Sequence, residues 1–103
     1  MGTFYKAAKK QDIESGQSVF AAVQGIPIAL FNVDGNFYAL HNLCPHRGGP
    51  LSEGELLGTE VRCPWHAWSF DVKTGQNSEN PDSKVKTYPV KVEGEDILVE
   101  LNS

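Results

Sequence analysis

The stretch at residues 41–71 reads HNLCPHRGGPLSEGELLGTEVRCPWHAWSFD and contains two short segments with the side chains of a metal site. The first segment places Cys44 two residues before His46, and the second places Cys63 three residues before His66. Together they use both cysteines of the chain and two of its three histidines. Each segment offers one thiolate and one imidazole, which are common ligands of zinc and iron. The four side chains therefore predict a metal centre.

The residues around these four candidate ligands favour two tight loops that face each other. Pro45 and Pro64 stiffen the turns, and Gly48-Gly49 allows the main chain to approach a bulky group closely. Sixteen residues separate the two segments. Gly58-Thr59 within them predicts a hairpin that returns the second segment beside the first. We expect the two loops to hold the metal from opposite sides.

Two kinds of metal centre accept this set of ligands. One kind of binuclear iron–sulfur centre binds two cysteines on one iron and two histidines on the other. A structural zinc ion accepts two thiolates and two imidazoles in a tetrahedron. Zinc sites more often pair like residues, as Cys-x-x-Cys followed by two histidines, whereas each segment here mixes the two types. The mixed order favours the iron–sulfur centre, and a zinc-stabilised binding module is the alternative.

The pattern Cys-x-His and Cys-x-x-His, with the residues around it from 43 to 71, closely resembles Rieske proteins. The resemblance implies one [2Fe-2S] cluster per chain. It makes Cys44 and Cys63 ligands of the inner iron, and His46 and His66 ligands of an outer iron near the surface. In the family, a proline-containing loop also covers the cluster. The further residues expected around the cluster are Gly48, Trp65, Trp68 and Pro81.

The residues that follow the second ligand pair bear on the reduction potential. High-potential Rieske proteins have a disulfide between the ligand loops, and a Ser and a Tyr whose hydroxyls donate hydrogen bonds to sulfur. This chain has no further cysteines, and Trp68 and Phe70 occupy the aligned hydroxyl positions. Without donors aimed at sulfur, the more negative, reduced state is less stable. The sequence predicts a low-potential centre, unless the neighbouring Ser69 supplies a hydroxyl.

Short apolar runs of β type fill the chain, with turn signals about every 8–12 residues. No stretch shows a 3.6-residue period, and ten glycines and six prolines interrupt the sequence too often for long helices. We predict an all-β fold, a small antiparallel sandwich or barrel of Rieske type, with a cluster-binding subdomain of two ligand loops at about 42–83. Asp34-Gly35 is a strong hairpin signal, since both positions tolerate positive φ. The predicted strands are 3–7, 18–23, 26–33, 36–41, 55–57, 60–62, 67–71, 85–92 and 97–101.

Length and charge limit what the chain can do. With 103 residues, we predict a single domain, 1–103, without room for a separate catalytic domain. A formal net charge of −4 argues against nucleic-acid binding and favours docking onto a basic patch of another protein. The first residues lack the apolar region of a signal peptide, and the longest apolar run, 26–31, is too short to span a bilayer. We expect a monomeric, cytoplasmic protein with no membrane partner.

These features predict a soluble one-electron carrier and not an enzyme. The resemblance to Rieske-type ferredoxins implies a flavin-dependent reductase as electron donor and a terminal oxygenase as acceptor, as in bacterial ring-hydroxylating dioxygenase systems. The alternative within the family is the small subunit of a nicotinamide-dependent nitrite reductase. A terminal oxygenase is not expected, because its second iron needs two further histidines and a carboxylate, and only His41 remains. We expect His41 to be a strand residue or a redox-linked acid–base group, and not a metal ligand.

Overall fold

A computed structural model describes residues 3–43, 50–64, 68–77 and 84–101. Within these ranges the chain forms ten β-strands and two short 3₁₀ turns, Lys10–Asp12 and Leu51–Glu53. The prediction of an all-β fold is therefore confirmed. The strands are β1 (Thr3–Lys9), β2 (Ser18–Val23), β3 (Ile26–Val33), β4 (Asn36–His41), β5 (Glu55–Leu57), β6 (Glu60–Arg62), β7 (Ser69–Asp71), β8 (Thr87–Tyr88), β9 (Val90–Glu93) and β10 (Asp96–Leu101).

The strands form three antiparallel sheets. The first sheet has the order β1–β10–β9 and joins the two ends of the described chain. The second sheet has the order β2–β3–β4–β8. The third sheet, β5–β6–β7, contains the two strands that flank the second candidate ligand segment. Most neighbouring strands are also neighbours in sequence, which is typical of antiparallel hairpins.

The hairpin predicted at Asp34-Gly35 is confirmed. Strands β3 and β4 pair in continuous register from Ile28 with His41 to Val33 with Asn36. Asp34 has φ of 51° and Gly35 has φ of 89°, as the tight turns that join twisted strands require. Because this turn fixes the register, it also fixes where β4 ends and the first ligand segment begins.

The single strand predicted at 85–92 is wrong. The structure divides it at Pro89 into two strands that belong to different sheets. Strand β8 pairs with β4, and β9 pairs with β10. The physical reason is that proline has no N–H to donate to a ladder and fixes φ. Five of the other predicted strands, 18–23, 26–33, 36–41, 55–57 and 60–62, have the predicted ends, whereas the first strand extends to Lys9 and the last begins at Asp96. Residue 67 of the predicted strand 67–71 lies outside the described residues, and β7 begins at Ser69.

Two apolar cores lie on opposite faces of the second sheet. Along β3, Ile28 and Leu30 belong to one core, and Ala29 and Phe31 belong to the other. This alternation follows from the period of two in a strand. The basal core faces the first sheet and consists of Ile13, Ala21, Val23, Ile28, Leu30, Ala39, Tyr88, Ile97, Val99 and Leu101. The site core faces the third sheet and consists of Ala29, Phe31, Leu40, Leu51, Val61, Cys63, Phe70, Val72 and Val85.

Candidate metal centre

Six of the eight residues predicted to hold or surround a cluster lie outside the described residues. The structure describes the other two, Cys63 and Trp68, together with the residues that flank segments 44–49, 65–67 and 78–83. In the part of the chain that is described, no three His, Cys, Asp or Glu side chains group as a metal site. What the structure shows of the centre is Cys63, Trp68 and the backbone on either side of each segment. The six predicted residues outside the described ranges are Cys44, His46, Gly48, Trp65, His66 and Pro81.

Asn42 holds together the two ends of the first segment. Its backbone oxygen accepts the N–H of Leu51 at 2.6 Å, and its side-chain Oδ1 accepts the N–H of Ser52 at 2.9 Å. Leu43 and Pro50 form an antiparallel bridge next to these bonds. Asn42 is 5% exposed, so water competes little for its polar atoms. Sequence reasoning missed Asn42. The signal that could have indicated its role is a polar residue between the end of a predicted strand and the candidate ligand Cys44.

Cys63 closes the second segment, because its N–H donates to the backbone oxygen of Trp68 at 2.9 Å. Arg62 and Ser69, at the adjoining ends of β6 and β7, pair with each other. Gly54 lies so close to the backbone oxygen of Arg62 that a Cβ at this position would collide with it. This contact places the chain that leaves the first segment beside Cys63. The return of the second segment toward the first, predicted from the hairpin, is consistent with this arrangement.

The side chain of Cys63 is 1% exposed and belongs to the site core. A thiolate in apolar surroundings needs a positive charge to compensate for its lost hydration. A bound iron ion supplies that charge, and the thiolate is the form in which cysteine binds metal. The position and chemistry of Cys63 therefore fit the cysteine-bound iron of a [2Fe-2S] cluster.

Trp68 and Phe70 both pack on the site core beside Cys63, with Phe70 fully buried. Between them, Ser69 pairs with Arg62. Neighbouring residues of a strand point to opposite faces. Ser69 therefore points to the face of the third sheet opposite that of Phe70. Its hydroxyl does not take the place of a donor at the Phe70 position.

The third segment, 78–83, is closed by backbone pairing at Gly75 and Gln76. Gln76 forms an antiparallel bridge with Lys84, and the N–H of Val85 donates to the oxygen of Gly75 at 2.8 Å. Gly75 has φ of 76°, and a Cβ there would collide with the backbone oxygen of Val85. Both the positive φ and the close approach require glycine.

We expect Gly75→Ala to destabilise the protein by about 3 kcal/mol, since it adds a collision to backbone strain of about 1–3 kcal/mol. Gly25→Ala is the matched control, because Gly25 has φ of 79° and no atom within 4 Å of an added Cβ. The control measures the cost of the backbone conformation alone. Urea unfolding of both variants gives the difference, and equal midpoints would contradict the assigned close approach.

Comparison with known proteins decides the family. A family model described as the Rieske [2Fe-2S] domain matches residues 3–89. The chain belongs to the Rieske family. This match confirms the prediction of one [2Fe-2S] cluster and not a structural zinc ion. The similarity to ferredoxin components, given below, confirms the prediction of an electron carrier. The third histidine, His41, is a half-buried strand residue, as expected.

The chain is similar to dioxygenase ferredoxins in sequence and to a wider set of proteins in fold. It is 43% identical over 96 residues to the ferredoxin component of the naphthalene 1,2-dioxygenase/salicylate 5-hydroxylase systems of Ralstonia sp, covering 92% of each chain. A ferredoxin–oxygenase complex of carbazole 1,9a-dioxygenase contains a chain with a TM-score of 0.86 and 29% identity, covering 94% of this chain and 92% of that one. The putative NADH-dependent nitrite reductase small subunit of Mycobacterium tuberculosis has a TM-score of 0.92 at 24% identity, covering 100% and 98%. At that identity, the last likeness shows the fold alone.

The described part of the Rieske chain contains no helix with the length and apolar character needed to cross a membrane.

Proposed function

We propose that Cys44 and Cys63 bind one iron of the [2Fe-2S] cluster and that His46 and His66 bind the other. The observation that carries this proposal is the position of Cys63, which is buried in the site core at the base of the second segment. The remaining donors follow from the spacing of the two segments. The same proposal includes a single domain, 1–103, in which residues of about 42–83 form the cluster-binding subdomain.

A [2Fe-2S] cluster held by these residues would supply one-electron chemistry at the site. The chain's own residues keep the surroundings of that step dry and rigid on the cysteine side. Leu51, Val61 and Phe70 are each fully buried in the core that contains Cys63. The hydrogen bonds of Asn42 and Cys63 hold the flanking backbone in place. Little of this framework needs to move when the charge of the centre changes, which favours rapid electron transfer.

We further propose that the chain works as a soluble, monomeric carrier in the cytoplasm, between a flavin-dependent reductase and a terminal oxygenase. The similarity to a dioxygenase ferredoxin component supports the pairing with these partners. The net charge of −4 suits encounter with basic docking patches.

Reconstitution tests this assignment. The purified protein is combined with an NADH-driven flavin reductase and a ring-hydroxylating oxygenase of naphthalene type, and hydroxylated product is measured. We expect product to appear only when the carrier is added. A red-brown protein that accepts electrons from no such reductase would contradict the proposed donor.

The alternative acceptor is the large subunit of a nitrite reductase. The likeness to a nitrite reductase small subunit is one of fold and does not separate the two roles. Affinity purification of the tagged chain from its own cells distinguishes them. Recovery of a sirohaem protein with nitrite-reducing activity would favour the alternative over the oxygenase.

We expect a midpoint potential near the lower end of the Rieske range of about −150 to +300 mV. The physical reason is that Trp68 and Phe70 offer no hydroxyl to the sulfur atoms, so both positions lack the O–H donor that stabilises the reduced state of high-potential Rieske centres. Spectroelectrochemical titration of the holoprotein measures the potential. A value well above zero would contradict the inference.

Phe70→Tyr tests the same point by adding the missing hydroxyl on the site-core face. We expect the potential to rise in this variant, because the hydroxyl donates to sulfur. Ser69→Ala is the matched control, since Ser69 points to the opposite face of the sheet. The potential of the control is expected to equal that of the wild type.

A further inference from the structure

His41 makes a contact that neither the fold nor the electron-carrier role explains. It is the last residue of β4 and stands three residues before Cys44. The backbone N–H of Leu43 donates to Nδ1 of His41 at 3.3 Å. Leu43 in turn bridges to Pro50, across the ends of the first segment. The imidazole is thus bonded to the backbone that leads directly into the first ligand segment.

This hydrogen bond requires one protonation state of His41. An imidazole nitrogen that accepts a hydrogen bond has its lone pair free, so the proton of the neutral ring is on Nε2. Both nitrogens of the protonated ring are donors, and the Leu43 N–H would then face another N–H. Histidine is the side chain that ordinarily changes protonation between about pH 5 and 8. The contact is therefore one that only the unprotonated ring makes.

The described residues beside His41 offer no carboxylate to pair with a protonated ring. Its partner on β3 is Ile28. On the other side its own N–H donates to the backbone oxygen of Lys86 at 2.9 Å. The salt bridges among the described residues are Lys6–Asp96 and Lys91–Glu93 and do not include it.

The described residues next to His41 on the β8 side are cationic or neutral. Lys86 lies beside His41 and accepts its N–H, and Tyr88 pairs with Ala39, which shares the face of His41 on β4. The Nζ of Lys86 lies over the Tyr88 ring, 5.3 Å from its centroid. Burial raises the pKa of the Tyr88 hydroxyl, which keeps it neutral. Among the described residues, none on this face offers an ion pair in place of the lost contact.

We infer that His41 is a positioning residue, which holds the backbone at Leu43, directly before the first ligand segment, through its unprotonated Nδ1 and releases it when the ring is protonated. This inference rests on the proposed role of Cys44 as a ligand. Protonation then has two effects. The cluster is lost faster because the backbone before Cys44 is less constrained, and the potential rises because a nearby cation favours the more negative, reduced state.

The pair His41→Asn and His41→Leu separates the acceptor from the shape of the side chain. Asn carries Oδ1 at the branch position of Nδ1, so it accepts the Leu43 N–H without titrating, whereas Leu has a similar shape and no acceptor. Far-UV circular dichroism checks that both variants fold. Loss of visible absorption in the presence of a chelator gives the rate of cluster release, and spectroelectrochemistry gives the potential, each between pH 5.5 and 7.5.

At pH 7.5 we expect His41→Leu to lose its cluster roughly two- to tenfold faster than the wild type, the factor of one neutral hydrogen bond. His41→Asn is expected to match the wild type at pH 7.5. At pH 5.5 the wild type should approach the rate of His41→Leu, while His41→Asn keeps its slow rate. The potential of the wild type should rise with acidification, and both variants should lack that step.

Either of two results would overturn this inference and leave the proposed ligand set intact. One is a wild type that contains the cluster and shows the same pH profile as His41→Asn. The other is a His41→Asn variant that releases its cluster at pH 7.5 as fast as His41→Leu. A wild type that binds no iron would instead overturn the proposed ligand set, and this inference with it.

Discussion

Cys63→Ser is expected to lose the cluster completely. The variant should be colourless after purification and contain almost no iron, because a buried hydroxyl does not replace a thiolate as an iron ligand. The unfolding transition should also fall to a lower temperature, since binding free energy of the metal is folding free energy in a small domain. Iron and sulfide analysis, the visible spectrum and a thermal scan measure these effects.

Val61→Ala is the control that separates loss of a ligand from damage to the core. Val61 is fully buried in the same site core as Cys63 and lies two residues before it. Removing its methyl groups leaves a cavity that costs about 2 kcal/mol. We expect this variant to be less stable and still red-brown. A red-brown Cys63→Ser variant with full iron content would exclude Cys63 as a ligand.

Local sequence signals predicted the hairpins well, because the residues at the turns decide them. Asp34 and Gly35 both adopt positive φ, and the strands on either side have the predicted ends. The prediction of one continuous strand at 85–92 is wrong, although Pro89 is a signal against a continuous strand. Its apolar alternation continues on both sides of the proline, and only tertiary pairing shows that the chain moves there from β4 to β10.

Spacing in the sequence is enough to propose the ligand side chains, whereas it does not reveal the residues that hold the flanking backbone. Cys63 was identified from a four-residue motif, and the structure places it in the site core. Asn42 gave no comparable signal, because the partner of its side chain, Ser52, is ten residues further along the chain. The contact of His41 with Leu43 likewise depends on the bend that ends β4. A sequence motif indicates the candidate metal ligands, but it does not show which neighbouring side chains hydrogen-bond the backbone around them.

Exchanging a proposed imidazole ligand for a thiolate should lower the reduction potential. His66→Cys adds one negative charge to the centre, so the incoming electron meets more repulsion. Replacing both histidines leads toward the plant-type value of about −400 mV, and we expect one exchange to lower the potential on the order of 100 mV. Spectroelectrochemical titration of the red-brown fraction, compared with the wild type at the same pH, measures the shift.

Ser69→Asp is the matched control for charge alone. It adds the same charge on the outer face of the third sheet, opposite Arg62 and away from the site core. Water and salt screen a surface charge, and Arg62 pairs with it, so the potential should hardly move. An equal shift in both variants would mean that the effect of His66→Cys is general electrostatics and not ligation. An unchanged potential in a cluster-containing His66→Cys protein would remove His66 from the ligand set, because a thiolate bound to iron cannot leave the charge of the centre as it was.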